Sequence, residues 1–446
     1  MNDDDVSAEA GEEAGRAVPS GRLARLGGFG RLAGGVAGGM IAEGARRLAA
    51  GERPRMGDLL LTPGNAARVA DRLSHLRGAA MKMGQMISMD AGDLLPPELS
   101  TLLARLRNQA YRMPPAQLAQ VLSKEWGADW RRRFRYFDAA PVAAASIGQV
   151  HRATLPDGRL LAVKVQYPGV RESIDADVDN VATLLRVSGL LPSSLDLKPL
   201  LAEAKRQLAE EADYRREGAE MTRYAERLAG DPRYVVPELV PELTTDRVLA
   251  MTFVEGRAVE TLADAPQETR DQAVTALIEL VLAELFRFGV MQTDPNFANY
   301  RWQPETGRLV LLDFGAARPV PKETVAAYRA LGQAGLSGNA DAIREAAIGA
   351  GFLGEAAVAA HRPSVDRIIA AVQATIARPG PFDFGDRAFV PVVREEARVM
   401  LADRDTWHVP PIETLFVQRK VSGTALLAAR LSARVDILGL VARALA

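Results

Sequence analysis

"FRFGVMQTDPNFANYRWQPETGRLVLLDFGAAR", residues 286–318, sets an Asp at 294, an Asn five residues later at 299, and a second Asp at 313 behind an apolar run. The run from Leu309 to Leu312 reads as a short buried strand, and Asp313-Phe314-Gly315 ends it. All three polar residues therefore stand at the ends of elements, where a rigid scaffold can present them. Asn299 and Asp313 offer hard oxygen ligands of the kind Mg²⁺ takes when phosphate oxygens complete its shell. Asp294 is left to orient or deprotonate an attacking hydroxyl or water.

Upstream, "FDAAPVAAASIGQVHRATLPDGRLLAVKVQYPG" reads as a strand, a Pro-Asp-Gly turn and a β-branched strand with Lys164 at its middle. A lysine in a strand that should be buried is costly unless its charge is paired. Acidic partners lie on the next strong helix, in "LAEEADYRREG", where Glu211 and Asp213 stand two apart and Glu203, Glu210 and Glu217 are close. "RVLAMTFVEG" then makes one more strand that runs into a turn. Strand Lys, helix Glu, strand-to-turn hinge, long helix, Asp-x-x-x-x-Asn and Asp-Phe-Gly follow one another in the order used for kinase-type phosphoryl transfer from ATP. In that scheme Lys164 holds the α/β-phosphates, Glu211 pairs with it, Asn299 and Asp313 hold Mg²⁺, and Asp294 serves the nucleophile.

Composition narrows the alternatives. The 446 residues suffice for two or three domains, and 48% hydrophobic content supports a sizeable core. Lys+Arg 55 against Asp+Glu 56 leaves a net charge of -1, so no bulk attraction to nucleic acid is expected. With Cys 0, thiolate chemistry, disulfides and Cys-ligated zinc are excluded, and His 4 disfavours a His-based metal site. The polar, acidic N-terminus is unlike a secretory or transit peptide, which points to a cytoplasmic protein or one peripheral on the inner membrane.

Between Asn65 and Asp90 the apolar positions Val69, Leu73, Leu76, Ala80, Met83 and Ile87 mark an amphipathic helix, and Lys82 and Gln85 project together off that stripe. Lys82-x-Gly-Gln85, the Ala-rich "AAASIGQVH" of 143–151 and Glu211-x-Asp213 replace features of an ordinary protein kinase, and the chain resembles the UbiB-type atypical kinases from about Gly21 onward. "QTDPNFAN" and "RKVSGTALLAARL" are similar to the ubiquinone-linked branch of that family. The resemblance implies an α+β, atypical protein-kinase-like bilobal fold with a family-specific N-terminal helical extension. It also implies ATP and Mg²⁺ as cofactors, and prenyl-quinone precursors, membrane lipid and quinone-biosynthesis proteins as partners beside ATP/ADP. By the same resemblance Lys82, Gln85 and Asp213 are regulatory, the helix of Lys82 and Gln85 lying over the protein-substrate entrance. Ala144, Ser146 and Gln149 lie over the nucleotide, and Met251, Thr252, Phe253 and Val254 form the adenine hinge. Cβ atoms on Ala143, Ala144 and Ala145 should stiffen a loop that ordinary kinases build from glycine.

The expected layout is a disordered acidic tail and Gly/Arg-rich arm (1–56), a helical extension (57–133), a kinase-like N-lobe (134–256) and a helical C-lobe (257–446). The function read from it is an ATPase or small-molecule kinase supporting prenyl-quinone biosynthesis at a membrane surface. A nucleotide-switched prenyl-lipid-binding module and a conventional protein kinase are the alternatives, the latter disfavoured because no Ala-Pro-Glu follows Asp-Phe-Gly.

In the arm, Gly30, Gly34 and Gly38 share one potential helical face, and arginines flank them. Deleting the residues before Gly51 should weaken co-sedimentation with anionic liposomes while leaving ATP binding intact. Equal co-sedimentation of full-length and truncated protein would remove the arm from membrane contact.

Overall fold

The computed structural model describes residues 113–446 apart from 146, 188–197, 404, 405, 407 and 409. Lys82, Gln85, Ser146, the arm and most of the helical extension lie outside the described residues. The chain divides into two compact units, the first running through Arg215 and taking in Leu239–Phe253, the second made of Arg216–Glu238 and Val254–Ala446.

In the first unit, helix α1 (Pro115–Trp126) starts at a proline, where the missing N–H costs nothing, and stops at Gly127, whose φ of 89 is open to glycine. It buries Leu118, Val121, Leu122 and Trp126. Trp126, Trp130, Phe134 and Phe137 then meet edge-on or tilted, with centroids 5.1–6.4 Å apart. Strands β1 (Tyr136–Ala144), β2 (Gly148–Thr154) and β3 (Leu160–Gln166) follow. Helices α2 (Val170–Val187) and α3 (Lys198–Glu211) come next.

The sequence reads "LAEEADYRREG" as part of one strong helix; instead α3 ends at Glu211 and α4 (Tyr214–Arg227) begins after Ala212 and Asp213. Strand β4 (Tyr234–Val235) belongs to the second unit, and β5 (Val248–Thr252) completes an antiparallel sheet of order β1-β2-β3-β5 in the first. The Ala-rich stretch, expected as a loop, is mostly strand: Ala143 pairs with Val150 and Ala144 with Gln149, and Ala145 N–H donates to the Gly148 carbonyl, 2.9 Å. Its hairpin requires glycine at 148, since a Cβ there would lie 2.3 Å from the Val165 carbonyl oxygen.

In the second unit, β6 (Arg257–Ala258) precedes helix α5 (Gln267–Ala283), which continues into a π-helical turn, Glu284–Phe288. Gly289, left-handed at φ 61, ends that turn. Strands β7 (Val290–Gln292), β8 (Tyr300–Gln303), β9 (Arg308–Leu311) and β10 (Ala317–Pro319) carry the motif region. The sequence shows only one strand there, because pieces of two to four residues are too short to display a period. They form a sheet β4-β9-β8-β6 and a pair β10-β7. Helices α6 (Lys322–Ser337), α7 (Ala340–Gly349), α8 (Glu355–Ile376, kinked at His361 ahead of Pro363) and α9 (Val390–Ala402) follow, with β11 (Phe382–Asp383) between the last two. Helix α10 (Ile412–Arg430), β12 (Arg434–Val435) and α11 (Ile437–Leu445) close the chain. Val281, Leu285, Met291, Tyr328 and Val417 pack into one cluster, joining the end of α5 to α6 and α10. Among the described residues no helix is long and apolar enough to cross a membrane.

One buried polar chain organises the first unit. Met113 N–H donates to Gln149 Oε1 (2.9 Å), and the Gln149 amide lies 2.8 Å from His151 Nε2. His151 Nδ1 lies 2.8 Å from the Asp138 carbonyl, which can only accept. Nδ1 therefore carries the proton and Nε2 accepts from Gln149, so the ring is neutral. Burial pushes the His151 imidazole below its ordinary value, against the raising effect of the Asp138 carbonyl. Stability from this neutral ring is complete above the ordinary value of 6.5 and is lost as the pH falls through the lowered one. The melting temperature should therefore drop between about pH 7.5 and about pH 5, and His151→Phe, which keeps a ring against Phe137, should flatten that dependence in parallel melts. Superimposable pH dependences would show that His151 does not titrate on unfolding.

Candidate active site

Each unit carries one constellation of the residues singled out by the sequence. In the first, Lys164 sits at the centre of β3, between Val150 of β2 and Leu249 of β5 in register. Its side chain is 6% exposed, and Nζ stands 5.2 Å from the centroid of the Tyr214 ring. Glu211, 7% exposed, ends α3. The end of that helix is fastened to the lysine strand by Gln166, two residues beyond Lys164: its amide nitrogen donates to the carbonyls of Ala212 (2.9 Å) and Asp246 (3.2 Å). The Glu211-Ala212-Asp213 turn is thus held at the strand that bears Lys164. Met251 and Thr252 lie in β5, and Phe253 extends the pairing by donating its N–H to the Leu160 carbonyl, 2.8 Å, under the Arg152 guanidinium. The boundary between units falls between Phe253 and Val254, inside the expected hinge. Ala144 is exposed and Ala143 and Ala145 half-buried, whereas the buried Gln149 amide is occupied by Met113 and His151.

In the second unit, Asn299 and Asp313 are brought together by the β8–β9 pairing. Tyr300 pairs with Leu311, and Leu312 N–H extends the ladder to the Asn299 carbonyl, 3.0 Å, so that Asp313 follows immediately on the strand beside Asn299. Asp294 is joined to the same place by β7–β10, where Gln292 pairs with Ala317 and the Thr293 N–H and hydroxyl both donate to the Ala316 carbonyl, 3.1 and 3.0 Å. The loop between is braced internally: Gln292 Oε1 accepts the Asp294 N–H (3.0 Å), and Asn299 Nδ2 donates to the Asp294 carbonyl (3.2 Å). That bond engages the amide nitrogen of Asn299 with its own loop and leaves the side-chain oxygen as the atom able to serve a cation. Asn296 caps the short 3-10 turn Phe297–Asn299 by accepting the Ala298 N–H, 3.1 Å.

The Asp-Phe-Gly turn is set by similar contacts. Asp313 Oδ1 accepts the Gly315 N–H (3.0 Å), Phe314 is buried against Tyr224 at 5.0 Å, and Arg216 donates to the carbonyls of Gly315 (2.7 Å) and Ala317 (2.5 Å). Sequence reasoning missed Gln166, Tyr214, Arg216 and Gln292. For three of them a cue was present: Gln166 is two residues from Lys164, and Tyr214 and Arg216 directly follow Glu-x-Asp. Among the described residues no three His, Asp or Glu side chains form a cluster able to hold a metal by themselves. Asn299 and Asp313 present the mixed amide and carboxylate oxygens that suit Mg²⁺ with phosphate and water as its other ligands.

Comparison with known proteins places this geometry. The ABC1 atypical kinase-like domain matches residues 105–347, more than half of the 446. The "Atypical kinase COQ8, mitochondrial" of Saccharomyces cerevisiae is 38% identical over 425 residues, covering 94% of this chain and 83% of the yeast protein. The "Atypical kinase coq-8, mitochondrial" of Caenorhabditis elegans is 39% identical over 432 residues, 95% of this chain and 57% of the worm protein. Among solved structures, the Rv3197–erythromycin complex from Mycobacterium tuberculosis superposes with a TM-score of 0.57 at 27% identity, covering 84% of this chain and 94% of that one. With strand Lys, Asn and Asp-Phe-Gly Asp presented as described, and with these matches along nearly its whole length, the chain belongs to the ABC1 atypical kinase-like family, the UbiB-type kinases, whose enzyme class is kinase-type phosphotransferase or ATPase.

Proposed function

We propose that the protein is an ATP-binding, Mg²⁺-dependent atypical kinase or ATPase that supports ubiquinone (prenyl-quinone) biosynthesis, working peripherally at a membrane surface. The observation that supports the chemistry is the ladder from Leu312 to Asn299, which brings the backbone of Asp313 next to that of Asn299, one loop from Asp294. The quinone is supplied by the UbiB resemblance and by the similarity to proteins named as COQ8 kinases. Prenyl-quinone precursors, membrane lipid and quinone-biosynthesis proteins are the partners this reading calls for, beside ATP/ADP.

Lys164 would bind the α/β-phosphates, with Glu211, at the end of the helix fastened by Gln166, holding its ammonium in place. Ala143 to Ala145 would cover the nucleotide with a stiff hairpin, Ser146 and Gln149 would be its further contacts there, and Met251 to Val254 would flank adenine. Asn299 and Asp313 would hold Mg²⁺, whose charge, when bound, offsets that gathering on the phosphate oxygens. Asp294 takes the proton of the attacking hydroxyl or water; that oxygen bonds to the γ-phosphorus as the bridging P–O bond breaks, and ADP leaves with the electron pair. Asp213, Lys82 and Gln85 would regulate access by protein substrates.

Asp313→Asn should abolish the thermal stabilisation given by Mg-ATP, because a neutral amide loses the charge that joins metal and phosphate. An undiminished shift would take Asp313 out of the site. Asp294→Asn should spare that stabilisation yet lower turnover by roughly two orders of magnitude or more, as expected when a general base is removed. Phosphate release measured with and without a prenyl phenol or anionic liposomes checks both the rate and the lipid link. A joint loss of binding and turnover in Asp294→Asn would reassign it to metal or structure.

A further inference from the structure

The "RKVSG" segment noted in the sequence has no part in the chemistry above, yet its Lys420 is among the most deeply buried side chains in the second unit, 1% exposed. Lys420 Nζ donates to the Tyr300 hydroxyl at 2.6 Å and stands 3.5 Å from Glu284 Oε2. Glu284, 0% exposed, accepts with its other oxygen from the Tyr224 hydroxyl (2.9 Å) and from the Gln292 N–H (3.3 Å). Gln292 and Tyr300 are the residues that bracket 293–299, the loop carrying Asp294 and Asn299. One buried ion pair therefore reaches both ends of that loop.

Simple stabilisation does not account for this arrangement. Taking both charges out of water costs several kcal/mol per ion, and well-packed hydrophobic residues of similar volume are often as stable or better. Hydrogen bonds, however, add a directional requirement that apolar contacts lack, so that each bonded group must be met by a particular partner. The backbone also leaves the α-helical pattern at the carboxylate. Glu284 opens a π-helical turn at the end of α5, one residue wider than the α-helix it interrupts, and such turns recur at functional sites. Burial raises the Glu284 carboxyl above its ordinary value; burial also disfavours the Lys420 ammonium, but Glu284 and Tyr300 outweigh it and hold that group charged.

We propose that Lys420, Glu284 and the Tyr300 hydroxyl are positioning residues for the phosphoryl-transfer loop, a buried clamp that sets the spacing of Asp294 and Asn299 without touching substrate. The proposal rests on the function assigned above to that loop. It predicts that loosening the clamp impairs use of the metal and the chemical step more than folding, since a misplacement of about 1 Å costs on the order of a hundredfold in rate.

Tyr300→Phe removes only the hydroxyl and leaves the ion pair in place. Its melting temperature should stay near that of the wild type, amide exchange over 293–299 should quicken, and turnover of Mg-ATP should fall roughly ten- to a hundredfold with a higher half-saturating Mg²⁺ concentration. The double variant Glu284→Gln/Lys420→Met removes both charges together, so it recovers the melting temperature that Lys420→Met alone would lose by stranding a buried carboxylate. In the double variant turnover should remain low even though stability returns. Wild-type turnover in Tyr300→Phe, or activity that returns with stability in the double variant, overturns the proposal. Asp313→Asn separates the two ideas: if it retains the Mg-ATP thermal shift, or the wild type shows none, the functional reading fails. In that event amide exchange alone judges the clamp, unchanged exchange in Tyr300→Phe refuting it and faster exchange supporting it.

Discussion

Burying charge is costly, and much of this structure is an answer to that cost. Lys164 in the first unit and the Glu284–Lys420 pair in the second are taken almost wholly out of water. Around Lys164 lie the Tyr214 ring and, by way of Gln166, the end of helix α3 that bears Glu211. Around Glu284 and Lys420 lie two tyrosine hydroxyls and one backbone N–H. Each arrangement turns a penalty into a geometric specification, because a desolvated polar group tolerates only the few positions in which its bonds are made.

The second unit's constellation rests on very short strands. Antiparallel pairing of Tyr300 with Leu311 and of Gln292 with Ala317 needs few residues, yet each pair aligns the loop beyond it. Loops anchored at both ends in this way can carry half-buried carboxylates: the Gly315 N–H fixes the direction of the Asp313 carboxylate, and Gln292 holds the backbone N–H of Asp294. Arg216 contributes likewise, pinning the carbonyls on either side of Ala316. The Ala-rich hairpin is the counterpart in the first unit. Its alanines sit in or beside strand β1, and the close approach of backbones that glycine permits occurs at Gly148.

Family membership follows from the same features, since the strand lysine, the Glu-x-Asp turn and the Asp-Phe-Gly turn all fall within the matched residues 105–347. The RKVSG helix lies beyond that span, yet Lys420 reaches back to the residue next to Asn299.

The sequence by itself determined the residues whose meaning is local: Asp294 and Asn299 five apart, Asp313 at the end of an apolar run, and Lys164 within a β-branched strand. Spacing along the chain fixes which side chains share a turn or a strand, so these were legible together with the kinase-like order of elements. Strands of two to four residues and the break at Ala212–Asp213 were not, since a period needs more residues than they contain. Tertiary structure decided the partners of the buried polar groups: Gln166 meets Ala212 across 46 residues, Gln149 meets Met113 across 36, and Lys420 meets Tyr300 across 120. A buried donor bonds to whatever acceptor packing brings within about 3 Å, and no regularity along the chain records which one that will be.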